Sequence, residues 1–267
     1  MQRLHSVRVG RIVLVSAVGL LLVLTGCVGG SDSDSQADVA TATREHDDAL
    51  PLVRFHYVAA LTLREEVADG APSEIVVSTE GDVQAPDRHA FTYSIRRDDS
   101  VLERSVVIIG EQAWFRRADG GWAETSPDDP RVAALPSAAF SGVRPTFLSG
   151  PTFLSVRESV RRLPSTRETV NGVAASHYRV ESADQEYFEY FPADDRLAQR
   201  VQDLRWELWL AEDGGWPVRL LLSGTIAADL PILDELDLRP PTFWELRIDV
   251  SRPNDPSLAV VAPEGED

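Results

Sequence analysis

Apolar and polar residues alternate along most of this chain. Val53, Phe55, Tyr57, Ala59, Leu61 and Leu63 interleave with Arg54, His56, Val58, Ala60, Thr62 and Arg64. A period of two predicts a long strand with one face buried. The same pattern picks out Glu74–Ser78, Ala90–Arg97, Val101–Ile109, Ala113–Arg117, Val173–Glu181, Glu186–Tyr190, Asp203–Ala211, Pro217–Ala227, Thr242–Val250 and Leu258–Val261. Turn residues separate neighbouring segments, so consecutive strands should pair antiparallel. Helical spacing is rare and falls mid-chain, at Asp128–Phe140, Val156–Leu163 and Asp194–Gln202. Early and late blocks of strands with helices between them predict an α+β domain, one large antiparallel sheet of roughly ten strands with its helices on one face.

Two local repeats punctuate the pattern. Asp-Gly-Gly-Trp occurs at residues 119–122 and again at 213–216, each time between strands, which reads as hairpin chemistry. Pro145-Thr-Phe-Leu-Ser149 recurs after one glycine as Pro151-Thr-Phe-Leu-Ser155. Pro and Gly break this stretch, which is expected to be irregular. Exposed together, Phe147, Leu148, Phe153 and Leu154 would form an apolar patch. They are expected to cover the open side of the sheet or to pack on its core.

The N-terminus departs from the strand pattern. Arg3, Arg8 and Arg11 precede an apolar run from Ile12 to Leu24, then Thr25, Gly26 and Cys27. A basic head, a short apolar core and small residues before a cut site describe a secretory signal peptide. The run, about 13 residues, is short of the ~20 a spanning helix needs. Cys27 is the chain's one cysteine. From Gly29 to about His46 the chain is a Gly/Ser/Asp tether without apolar periodicity, expected to be disordered. The expected organisation is a signal at 1–26, an acylated cysteine and tether at 27–47, a domain at 48–263 and an acidic tail at 264–267.

Charge narrows the partners. There are 26 basic residues, all arginine, and 43 acidic ones. Loss of the signal removes three arginines and no acid, taking the formal charge from −17 to −20. That argues against nucleic acid and against docking on anionic lipid, both of which need basic patches.

The chemistry-bearing residues form no catalytic pattern. Beyond His5, the histidines are His46, His56, His89 and His177, and none has zinc-ligand spacing. There is no nucleophile elbow, P-loop or dinucleotide fingerprint. Acidic pairs such as Asp98-Asp99, Asp128-Asp129 and Asp194-Asp195 read as solvated turn charges. His56 and His177 read as satisfied strand residues. The six tryptophans read as core or cross-strand packing, with a carbohydrate-binding surface as the alternative use. Trp206 and Trp209 must face opposite sides of one strand. No cofactor, metal or enzymatic activity is expected.

Leu24-Thr-Gly-Cys27 resembles the lipobox of bacterial lipoproteins, which implies acylation of Cys27 and a place on the extracytoplasmic face of a membrane. Further segments resemble the LolA-like lipoproteins, including the LppX/LprG-type group. These are Gly81–Arg88, Val107–Arg116 with Trp122, Val170–Arg179, Leu208–Arg219, Ile248–Ser251 and the closing Val-Ala-Pro263. The resemblance implies a curved sheet forming an incomplete barrel, with helices on its concave face. It also implies a role in binding or carrying acylated molecules, or alternatively as an envelope sensor or assembly factor that binds a protein partner. The cavity or lid residues expected on this basis are Phe55, Tyr57, Phe91, Tyr93, Phe147, Leu148, Phe153, Leu154, Leu220 and Leu222. In Pro217–Ala227, Val218, Leu220 and Leu222 lie opposite Arg219, Leu221 and Ser223. Apolar groups on both sides of one strand are the physical sign of such a cavity.

Overall fold

The structure, a computed structural model, describes residues 51–66, 73–97, 100–118, 120–129, 132, 145–181, 201–227 and 237–264. All belong to the second of the two units into which the chain divides, Arg44–Asp267. The signal, Cys27, the tether and strand Glu186–Tyr190 lie outside the described residues. So do most of Asp128–Phe140 and the start of Asp194–Gln202.

One antiparallel sheet holds the described chain together. Its strands are β1 (Arg54–Glu65), β2 (Glu74–Gln84), β3 (Arg88–Arg97), β4 (Ser100–Ile109), β5 (Gln112–Arg117), β6 (Ala123–Thr125), β7 (Ser165–Val170), β8 (Val173–Glu181), β9 (Val201–Ala211), β10 (Pro217–Ile226) and β11 (Thr242–Ser251). The order across the sheet is β6-β5-β4-β3-β2-β1-β11-β10-β9-β8-β7. Two meanders therefore meet at the β1–β11 pair, and β6 and β7 are the edges among the described strands. The sheet does not close on itself. The connection from β6 to β7 must travel from one edge to the other, and it carries the described helix, α1 (Pro151–Val160). Topology alone puts that helix over a face of the sheet.

Alternation decides which face. Phe55, Tyr57, Ala59, Leu61 and Leu63 of β1 are all buried, as are Trp244, Leu246, Ile248 and Val250 of β11. They join one cluster with residues from β2 to β5 and from β8 to β10. Phe153, Val156 and Val160 of α1 enter the same cluster at helical spacing, so the helix packs on this inner face.

Turn chemistry matches the hairpins. Asn171 and Gly172 between β7 and β8 have φ of 52° and 80°, the two positive angles of a two-residue type I′ turn. The two Asp-Gly-Gly-Trp turns differ. Gly214 and Gly215 both have positive φ, whereas Gly120 does not.

Several expectations are corrected. The repeated Pro-Thr-Phe-Leu-Ser segment is regular: its first copy is a 3-10 turn, Pro145–Ser149, and its second opens α1. Proline is tolerated at the first position of a helix because that residue's missing N–H has no intrahelical partner anyway. α1 accordingly starts at Pro151 rather than Val156. Val201 and Gln202 belong to β9, not to a helix. Leu258–Val261 is not a strand, although Leu258 and Val260 are buried and the Val260 N–H donates to Gln84 Oε1 at 3.3 Å. β7 is an unforeseen strand. As an edge strand exposed on nearly all of its length, Ser-Thr-Arg-Glu-Thr-Val carries almost no apolar alternation. Helices are fewer than the expectation of several on the inner face: among the described residues α1 and the 3-10 turn are the elements lying there.

Candidate functional site

The inner face is the candidate site, and its aromatic centre is built by register. Across adjacent strands, Val250, Tyr57, Gly81, Phe91, Val106 and Phe115 fall in one row. Gly81 separates two large aromatics, and a Cβ there would sit 2.4 Å from the Ala90 carbonyl oxygen and 2.6 Å from Phe91 Cβ. Glycine is required because Phe91 leans across it. Along β1 and β3 the rings of Phe55, Tyr57, His89, Phe91 and Tyr93 follow one another at centroid distances of 4.5–6.4 Å.

Polar side chains also stand inside this apolar surface, among them Tyr57, His89 and Trp244. The Tyr57 hydroxyl and His89 Nε2 share a hydrogen bond of 2.8 Å. Burial pushes the Tyr57 hydroxyl pKa well above its ordinary value, with the Asp82 charge adding to the effect. The Trp244 indole Nε1–H is buried and has no hydrogen-bond partner. An orphaned donor of this kind costs about 1–3 kcal/mol.

The segments expected to line a cavity meet here. Phe55, Tyr57, Phe91, Tyr93, Leu148, Phe153, Leu220 and Leu222 are all buried in the one inner cluster, with Phe147 packed against it and Leu154 half-buried. Phe147 and Phe153 touch edge to face, 5.7 Å apart at 81°. In the first copy of the repeat the leucine is the buried residue, and in the second the phenylalanine is. The two-sided apolarity of β10 has another origin. Leu220 and Leu222 face inward, whereas Val218 and Leu221 join Val170, Ala175, Trp209 and Ala211 in a second cluster. A register shift between Pro217 and Arg219 separates Val218 from its inward neighbours.

Sequence reasoning missed His89, which reads as a polar residue in a strand and turns out to be the inner partner of Tyr57. Its parity with Phe91 and Tyr93 was the available signal. The other strand histidines are satisfied as expected, each between two carboxylates. His56 lies 2.9 Å from Asp82 and 3.4 Å from Glu80. His177 lies 2.8 Å from Glu168 and 2.6 Å from Glu207 and stacks on Trp209 at 4.1 Å. Hydrogen bonds from Trp209 and His177 hold the Glu168 carboxyl below its ordinary pKa. The two nitrogens of one imidazole point apart, so neither set converges on an ion. Among the described residues no group of three or more metal-ligating side chains is placed to hold one. None of the described helices is long and apolar enough to cross a membrane.

Several solved structures match the chain at low identity. A LolA superfamily protein from Nitrosomonas europaea matches with 13% identity over 77% of this chain and 87% of that one, at a TM-score of 0.26. A DUF1329 family protein from Desulfovibrio piger matches with 12% identity over 77% and 87%, at 0.24. A β-barrel-like protein of the DUF1849 domain from Brucella abortus matches with 12% identity over 76% and 99%, at 0.23. No family model and no curated protein matches the chain. Identities and TM-scores this low transfer no residue role to this chain.

Proposed function

We propose that this chain is a lipid-anchored extracytoplasmic lipoprotein that binds or carries a hydrophobic, acylated ligand on the inner face of its sheet. The observation that carries this reading is the breadth of that face. Eleven strands at ~4.8 Å spacing make a surface roughly 50 Å wide. Helix α1, with 10 residues, is about 15 Å long and about 10 Å across. Among the described residues α1 and the 3-10 turn lie on this surface, whose residues are buried throughout, so an acyl chain would bind between the sheet and its cover. Burying ~16 methylenes at ~0.8 kcal/mol each gives ~13 kcal/mol before ordering costs, enough for useful affinity. The reading treats the protein as a binding protein, because the described part of this face is lined mainly by aliphatic and aromatic side chains.

The anchor follows from Leu24–Cys27. A diacylglycerol on Cys27 supplies the two chains that stable attachment requires. The test is organic extraction of protein purified without its signal, followed by lipid mass spectrometry. Stoichiometric acyl lipid is the expected result. Lipid-free protein that also fails to take up added lysophospholipid would refute the reading.

A further inference from the structure

The outer face of the sheet, opposite the apolar one, carries an open trough of 390 Å³. Its floor is made of small side chains from the two middle strands, Ala90 and Thr92 of β3 with Ser105 and Val107 of β4. The Thr92 and Ser105 hydroxyls hydrogen-bond at 3.1 Å. One wall comes from β1 and β2: His56 lies between Asp82 and Glu80. The other wall comes from β5 and the turn after it, where the Arg116 guanidinium lies 4.8 Å over the Trp122 ring. A row of short side chains between two rows of long ones is what makes the trough.

The walls are chemically incomplete in complementary ways. His56 contacts one oxygen of each carboxylate and so fixes both, while the second oxygen of each has no partner among the described residues. Arg116 rests on Trp122 and makes no ion pair among the described residues. Acceptors therefore line one side, donors the other, and hydroxyls the floor between. β2 and β5 are three strand spacings apart, ~14 Å. The ammonium and carboxylate of one amino acid are too close together to reach both walls. Ring hydroxyls donate and accept at every edge of a sugar, and the ring's C–H face can lie on an indole. Two carboxylates against one guanidinium disfavour an acidic sugar. The volume lies within the ordinary range for small-ligand sites, about 300–1,000 Å³.

We propose that this trough is a saccharide-binding site for a neutral or N-acylated sugar of one or two units, with Asp82 and Glu80 accepting from its hydroxyls, Arg116 donating to it and Trp122 packing against its ring. The site is separate from the apolar face, and it stands or falls independently of the lipid-binding reading.

Isothermal titration of the full chain with N,N′-diacetylchitobiose, cellobiose and maltose, to about 10 mM, tests it. At least one should bind saturably and alter tryptophan fluorescence. Asp82→Asn and Trp122→Ala should each weaken that binding about tenfold or more. Thr92 is exposed on the floor, so Thr92→Arg fills the trough without removing a wall; it should abolish binding while the melting temperature stays the same. That variant keeps the test decisive even where Trp122→Ala fails to fold. No saturable binding of any of the three, binding indifferent to Thr92→Arg, or binding of trilysine in their place would overturn the proposal.

Discussion

Single residues decide whether the inner face can form. Gly81 is the sharpest case, because the row that it shares with Tyr57 and Phe91 leaves no room for a Cβ. The nearest atom is backbone, which cannot swing aside. Gly81→Ala is expected to cost about 1–3 kcal/mol, the usual range for overpacking, measured as a lower urea midpoint at unchanged m-value. Asp255 sets part of the acid limit of stability. Bonds from the Ser257 hydroxyl and N–H and from Arg252 bring its pKa down to about 2 from 3.8. A folded-state pKa below the unfolded one contributes stability that is present above pH ~4 and lost as pH falls towards ~2. Stability profiles of wild type and Asp255→Asn should therefore converge across that window. Tyr57 acts at the other end. Its pKa is raised by burial, so its contribution is present below pH ~10 and lost as pH rises further. Tyr57→Phe should flatten the alkaline limb.

At the scale of elements, most described strands were legible, whereas the start of α1 was placed at Val156 instead of Pro151. β1 could be read to within a residue at each end, because its one buried face imposes a strict alternation, and β8 was read with both ends in place. β7 was illegible for the converse reason, since an exposed edge strand has no buried face to advertise. The repeated pentapeptide misled because Pro and Gly were taken as breakers when each proline begins a helical turn. Identical letters then land in unequal surroundings: Phe153 is 2% exposed, whereas Phe147 is half-buried at the rim of the cluster. Phe153→Ala should cost ~3–5 kcal/mol as a core truncation. Phe147→Ala should cost clearly less and should change the uptake of an acyl probe more than it changes stability. Equal losses of stability from both would mean that the first copy is core as well.

The whole molecule links two meanders through one helix-bearing crossover. The alternating strands and turn residues pointed to one antiparallel sheet, but the pairing of β1 with β11 that joins the two halves left no mark in local sequence. Nor did the pattern reveal the trough, which depends on side-chain heights in four neighbouring strands, from β2 to β5, together with His56 of β1. The inner cluster draws on both meanders and on α1, so an acyl ligand lying against it would bind the folded chain and not the unfolded one. Such a ligand at a hundredfold excess over its Kd adds ~2.7 kcal/mol to stability. For a domain of this size that corresponds to a rise in Tm of about 5–11 °C. Delipidated protein should therefore melt lower than protein as purified, and a C16 lysophospholipid below its micellar concentration should restore the difference. Thr92→Arg, on the opposite face of the sheet, should leave that restoration intact. Calorimetry of the three preparations is the check: identical melting curves would remove the inner face as a ligand site, whatever the trough binds.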